Sequence, residues 1–374
     1  MVLPLENYNL SLGYPDLSVA PKELLAGIAS ELISSGKVLQ YGGDKKGAES
    51  IREQVAIFLQ NATGDSVDVA DLLITNGALQ AIDLVCRALL RPGDIIGVEA
   101  PTFHDALWLF RLNKADLVSI PLGREGIDLD ALEALLKQHS SRFRLLYTIP
   151  SYQNPTGICA SAARREKLIE LASEHDFLIL EDAAYHFLYF EKPPPPLIKS
   201  LSTDDAHIIT IGSFSKIVAP SLRQGWIWAR NDLIEYFSRF KSDGCTSLLT
   251  SLVLADYLQS DGAEARLKHL RNFYAAKRAR VIDALQMHLS PWASWTNPGG
   301  GFFVWVTLSQ DLSASKLRVV AQDQGVDFLP GQACFADPAE DLHFRLCFSH
   351  LPSDALEEAI AILGTCLASM EGAG

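Results

Sequence analysis

Lys216 lies just beyond a short apolar run, His207–Ile211, reached through Gly212-Ser213-Phe214-Ser215, and Arg223 stands seven residues further on. Two other apolar runs end in comparable polar clusters. Leu145–Ile149 leads to Ser151-Tyr152-Gln153-Asn154-Pro155-Thr156-Gly157, and Phe177–Leu180 runs into Glu181-Asp182-Ala183-Ala184-Tyr185. A lysine amine condenses with an aldehyde to give a Schiff base. A carboxylate set against a pyridine nitrogen keeps it protonated, so that the ring accepts electrons from a substrate carbanion. Serine hydroxyls, an arginine fork and a helix N-terminus together hold a phosphate dianion. Each part of pyridoxal 5'-phosphate (PLP) therefore has a candidate partner in this set.

Those clusters meet only if the elements before them lie side by side. In an open parallel sheet, ligands sit beyond the carboxyl ends of the strands. From residue 75 onward the pattern predicts such a sheet. Thr75-Asn76-Gly77 precedes an amphipathic helix over Ala78–Leu90, which Pro92-Gly93 closes. Near-continuous apolar strands follow at Ile95–Val98, Leu145–Ile149, Phe177–Leu180 and His207–Ile211, with helical segments such as Ser161–His175 between them. This alternation indicates a mainly parallel sheet covered on both faces, an α/β fold. Lys192 and the prolines Pro193–Pro196 read as a stiff loop.

Further along, helices are predicted over Asp232–Phe240, Leu248–Ser260 and Ala263–Leu289. A strand at Phe302–Val306, a helix at Ala314–Gln324, strands near Val326–Leu329 and Phe344–Phe348, and a last helix from Pro352 make a small α+β lobe. The expected division is an N-terminal segment, 1–40, packing on that lobe, a large PLP-binding domain, 41–289, and a small C-terminal domain, 290–374.

The bulk numbers narrow the function. The chain has 374 residues, 48% hydrophobic and 21% charged, enough apolar material for a sizeable core. A net charge of −13 argues against nucleic acid and anionic membrane as partners and for small molecules. No apolar run has the length of a membrane span, and residues 1–12 lack the pattern of a signal peptide, so the cytoplasm is the expected address. The six cysteines are scattered without a CxxC pair, which predicts buried thiols and no metal site.

The motifs Asn154-Pro-Thr-Gly, Glu181-Asp-x-x-Tyr185, Ser213-Phe-Ser-Lys216 and Leu222-Arg223-x-Gly-Trp226 resemble those of the fold-type I, class I/II aminotransferases. Within them the chain is most similar to the subgroup of 2-aminoadipate and kynurenine aminotransferases. The likeness runs from Gly13-Tyr-Pro-Asp through Tyr41 to Arg345-Leu-Cys-Phe-Ser349. It implies an aspartate-aminotransferase-like fold with a mainly parallel seven-stranded sheet and a small α+β domain. It also implies roles. Lys216 forms the Schiff base and moves the proton, Asp182 pairs with the pyridine nitrogen, and Asn154 and Tyr185 hold the ring's phenolic oxygen. Ala78 and Leu79 amides, Ser213, Ser215 and Arg223 bind phosphate, and Phe103 stacks on the ring. Tyr41 reaches the neighbouring subunit's phosphate in a homodimer with shared active sites, and Arg345 clamps the substrate α-carboxylate.

Gly13 is a candidate for the substrate wall or a plain turn glycine. His104, next to Phe103, could touch substrate but is expected to be a satisfied histidine, and Phe302-Phe303-Val304-Trp305 is expected to be lobe core. The chain departs from the family pattern at Ala184 (proline is common), Ser221 (glycine is usual) and Phe103 (tyrosine is common). Transamination between an amino acid and a 2-oxo acid is the leading reading. Elimination, replacement or other carbanion chemistry on the same cofactor is the alternative. A DNA-binding regulator with a PLP-sensing domain fits poorly with the acidic charge and with the absence of a winged-helix pattern ahead of Gly13.

Overall fold

The computed structural model describes residues 8–371 apart from 140, 203 and 204. The first seven residues of the expected N-terminal segment and the last three of the expected C-terminal domain lie outside that range. After β1 (Tyr8–Asn9), the chain lays down β2 (Leu72–Thr75), β3 (Ile95–Ala100), β4 (Asp116–Gly123), β5 (Gly126–Ile127), β6 (Phe143–Thr148), β7 (Leu178–Asp182), β8 (Ile208–Ser213) and β9 (Gly225–Trp228). From β2 onward these form one sheet in the order β2-β9-β8-β7-β6-β3-β4-β5. Neighbours from β8 across to β4 run parallel, whereas β9 is antiparallel to both β2 and β8. The expected seven strands are β2–β4 and β6–β9. The eighth, β5, is a two-residue edge strand hairpinned onto β4.

Burial explains why these segments are strands. All six residues of β8 are buried, as are all four of β9, the signature of strands covered on both faces. Two features extend the sequence reading. β7 continues to Asp182 and β8 to Ser213, so the candidate residues are the last residues of their strands. Gly225–Trp228, read only as part of a motif, is itself the strand that joins β2 to β8.

The later chain adds β10 (Ala293–Trp295), β11 (Phe303–Leu308), β12 (Val326–Asp327), β13 (Leu329–Pro330) and β14 (His343–Cys347). Four of these form an antiparallel sheet, β10-β11-β14-β13, while β12 pairs in parallel with β1. The strand expected near Val326–Leu329 is thus two strands in different sheets, separated by the fully buried Phe328. Residues of both regions and of the N-terminal segment share one hydrophobic core, with Tyr8, Tyr185, Phe302 and Phe344 among them. Among the described residues no helix is long and apolar enough to cross a membrane.

Candidate active site

The carboxyl ends of β6, β7 and β8, the N-terminus of helix Ala78–Leu89 and the N-terminal segment enclose a cavity of about 340 Å³. Lys216, Asp182, Tyr185, Asn154, Phe103, Ser213, Ser215, Arg223, Arg345, Ala78, Leu79 and Gly13 all line it. Tyr41 does not. Its side chain is fully exposed (102%) on the surface.

Lys216 sits in the turn after β8, and its amine donates to the Gly13 carbonyl at 2.7 Å. Burial pushes the ammonium down to about 8, because a charge removed from water is disfavoured. Before it, the Ser213 hydroxyl donates to Ser215 Oγ at 2.9 Å and accepts the Ser215 N–H at 3.1 Å. Arg223 adopts a left-handed backbone, φ 52°. It turns its guanidinium onto the start of helix Ala78–Leu89, where Nη2 donates to the Asn76 carbonyl at 3.0 Å. With φ 80°, Gly77 sits where glycine is favoured, and its lack of a Cβ leaves room for Arg223 Nη2, which would stand 2.6 Å from that atom. A guanidinium, two hydroxyls and free helix N–H groups around one concavity are an anion site.

Asp182 is buried (3% exposed). Its Oδ1 accepts the Ala184 N–H at 3.0 Å and its Oδ2 accepts the Tyr147 O–H at 2.8 Å. Burial raises its proton affinity, opposed by those two bonds and by the charge of Lys216. A carboxylate so placed, facing a cavity, calls for a cation from outside the chain, and a protonated pyridine nitrogen fits that demand. Burial likewise raises the Tyr185 phenol, which therefore stays protonated. The Tyr185 ring meets Phe302 and Phe303 edge-on.

Arg345 comes from β14 and is also buried (3% exposed). Nη1 donates to Asn154 Oδ1 at 2.8 Å and Nη2 to the Ser11 carbonyl at 2.6 Å. The guanidinium carbon lies 4.1 Å from the Phe303 ring centroid, and Nε has no hydrogen-bond partner among the described residues. Two of the five guanidinium N–H donors are engaged by those bonds, leaving others for a carboxylate. The residues present therefore fit PLP and an α-carboxylate together.

Sequence reading missed several members of the site. Phe303, expected in the lobe core, is buried but also lines the cavity beneath Arg345. Strand alternation could have separated it from Phe302. His104 lines the cavity too. Its Nε2 lies 3.3 Å from Asp105 Oδ1, while Nδ1 is buried without a partner among the described residues, so it is not the satisfied histidine expected. Tyr147 was invisible because it meets Asp182 only when β6 and β7 pair, with Tyr147 opposite Leu180. Ser11 arrives from a segment far away in the chain, beside Gly13 and Tyr14.

The family model for aminotransferase class I and II matches residues 7–363. The chain is 33% identical to an aromatic-amino-acid aminotransferase of Thermococcus litoralis, over 94% of this chain and 86% of that protein. It is 32% identical to a 2-aminoadipate transaminase of Thermus thermophilus, over 95% and 88%. The solved structure of a Pyrococcus horikoshii kynurenine aminotransferase superposes with a TM-score of 0.92 at 34% identity, covering 98% of this chain and 91% of that one. The expected resemblance and the expected fold are both borne out.

Proposed function

Because the chain belongs to the class I and II aminotransferases, and moves amino groups between amino acids and 2-oxo acids with PLP, we propose that Lys216, Asp182 and Tyr185 are its catalytic residues. The observation that carries this is the buried Lys216 amine, pushed down to about 8 and sharing one cavity with Asp182 and Arg345.

Bound PLP supplies an electron-accepting ring. The residues of the chain do the rest. Asp182 holds the proton on the ring nitrogen, and Tyr185 and Asn154 hold the phenolic oxygen. Ser213, Ser215, Arg223 and the amides of Ala78 and Leu79 grip the phosphate, and Phe103 stacks on the ring. Arg345 clamps the carboxylate common to amino acid and 2-oxo acid, beside Gly13. Lys216 Nζ carries the proton to and from the substrate α-carbon.

Ser11, Leu12, Tyr14, His104, Asp105, Ile149, Ala184 and Phe303 remain for the substrate side chain. Among the described lining residues the three cations already have tasks, so an apolar or aromatic amino donor suits this wall better than a dicarboxylic one. The enzyme works as a cytoplasmic homodimer, in which the exposed Tyr41 reaches the partner's phosphate. Its chain divides into a segment at 1–40, a PLP-binding domain at 41–289 and a small domain at 290–374.

The test is to mix the purified holoprotein with single amino acids and follow its absorbance. Accumulation of the pyridoxamine form with phenylalanine, faster than with aspartate and reversed by a 2-oxo acid, is the expected result. Release of ammonia with no acceptor present would sink it, as would unchanged turnover by Lys216→Ala. Sedimentation as a monomer would remove the role given to Tyr41.

A further inference from the structure

Two loops bring side chains to the cofactor site from neighbouring parallel strands. Residues 101–103 carry Phe103 after β3, and 151–157 carry Asn154 after β6. Both loops are tied to one buried carboxylate that the reaction does not use. Glu99, the next-to-last residue of β3, is 2% exposed. Its Oε1 accepts the Thr148 O–H and, at 3.2 Å, the Ile149 N–H. Its Oε2 accepts Gln153 Nε2 at 3.0 Å. The same amide nitrogen donates to the Pro101 carbonyl at 2.7 Å, and Gln153 Oε1 accepts the N–H and O–H of Thr156 at 2.9 and 2.7 Å.

None of the donors to Glu99 is a cation. Burial pushes its carboxyl up to about 7, the charge of Asp182 acts in the same direction, and the three donors oppose both. A buried anion without a cation is costly to keep. Its hydrogen bonds give the reason. Gln153 uses its oxygen on Thr156, so only its N–H faces Glu99, and an acceptor is required there. A neutral amide at 99 could still accept from Thr148 and Ile149, but its NH2 would then face the NH2 of Gln153.

We propose that Glu99 is a positioning residue. By holding Gln153 against the Pro101 carbonyl, it fixes Phe103 and Asn154 relative to each other across the PLP site. Through Asn154 Oδ1 it also fixes the guanidinium of Arg345. The inference rests on the PLP reading given above.

Exchanging the two side chains tests it. Glu99→Gln and Gln153→Glu should each raise the dissociation constant for PLP, titrated into the apoprotein, by about tenfold. With PLP saturating, each should also raise the KM for the amino donor more than it lowers kcat. The double variant Glu99→Gln/Gln153→Glu restores a donor facing an acceptor between 99 and 153 and keeps both Thr156 bonds, but a carboxylate at 153 cannot donate to the Pro101 carbonyl. PLP binding should therefore stay weaker than the parent by more than about threefold. Single variants that bind PLP like the parent, or an exchange that restores parental binding without the Pro101 bond, would overturn the proposal. If a single variant does not fold, Thr156→Val, which removes one hydroxyl from Gln153, should still weaken PLP binding by about twofold to fourfold. No change there also overturns it. A parent protein that fails to take up PLP would count against the functional reading instead, since the positioning role is read only as ratios to the parent.

Discussion

Glu181 and Asp182 are consecutive residues of β7, both buried, and strand alternation sends them to opposite faces of the sheet. On one face, Glu181 accepts from the Ile198 N–H at 2.8 Å and the Thr210 hydroxyl at 2.8 Å, with Arg165 Nη1 3.9 Å away. On the other, among the described residues, Asp182 accepts only from the Tyr147 O–H and the Ala184 N–H, and it lines the cavity. Burial raises the proton affinity of both. The difference lies in who answers the charge. The protein itself supplies the cation for Glu181, whereas Asp182, on the function proposed above, is left for a ligand to complete. Structural and functional carboxylates can thus be told apart by their unmet needs even when they are adjacent in the chain.

Substitutions on each face should fail in different ways. Asp182→Asn removes the charge that a ligand answers, so kcat/KM should fall by at least about a hundredfold, with little change in melting temperature. Steady-state kinetics beside calorimetry checks this, and a large loss of stability would erase the contrast. Glu181→Ala should do the reverse. It strands the buried Arg165 and should cost about 3–5 kcal/mol of stability, read by urea unfolding, while the folded fraction keeps near-parental turnover.

Tyr147→Phe sharpens the comparison from the Asp182 side. It deletes one of the two bonds to that carboxylate, so the group holds its own proton more tightly and grips the ring nitrogen less. The dissociation constant for PLP should rise by about tenfold. Parental affinity would mean that the phenol is a bystander.

The smallest effect concerns pH. Burial lowers Lys216 to about 8, and only the neutral amine attacks an aldehyde. Recapture of PLP by the apoprotein should therefore quicken as pH rises through about 8, then level off, in stopped-flow absorbance. The sign for stability is the same. Between that value and the ordinary lysine value of 10.5 the unfolded chain holds the proton and the folded chain does not, so stability rises with pH across the window. A midpoint at the ordinary value would show a hydrated lysine.

The central part of this arrangement was legible in the sequence for a physical reason. Parallel strands buried on both faces leave unbroken apolar runs, and β3, β6, β7 and β8 each left one ahead of its polar residues. β4 left a weaker trace, since it is only partly buried and alternates toward the edge. β2 and β9 were not read as strands because each is only four residues long. The residues that sequence could not reach are those placed by pairing across the fold. Tyr147 depends on the β6–β7 register, and Ser11 on a segment that closes over the site from the other end of the chain. His104 shows another limit, since whether a ring nitrogen finds a partner depends on packing.

The contact between Ser11 and Arg345 spans 334 positions of sequence. A ribosome adding about 5–20 residues per second makes the first of these residues tens of seconds before the second. The wall of the pocket therefore cannot be finished on a nascent chain while the sheet is still emerging. It closes only once Arg345 has been made, later than the ends of β6, β7 and β8 that carry the rest of the site.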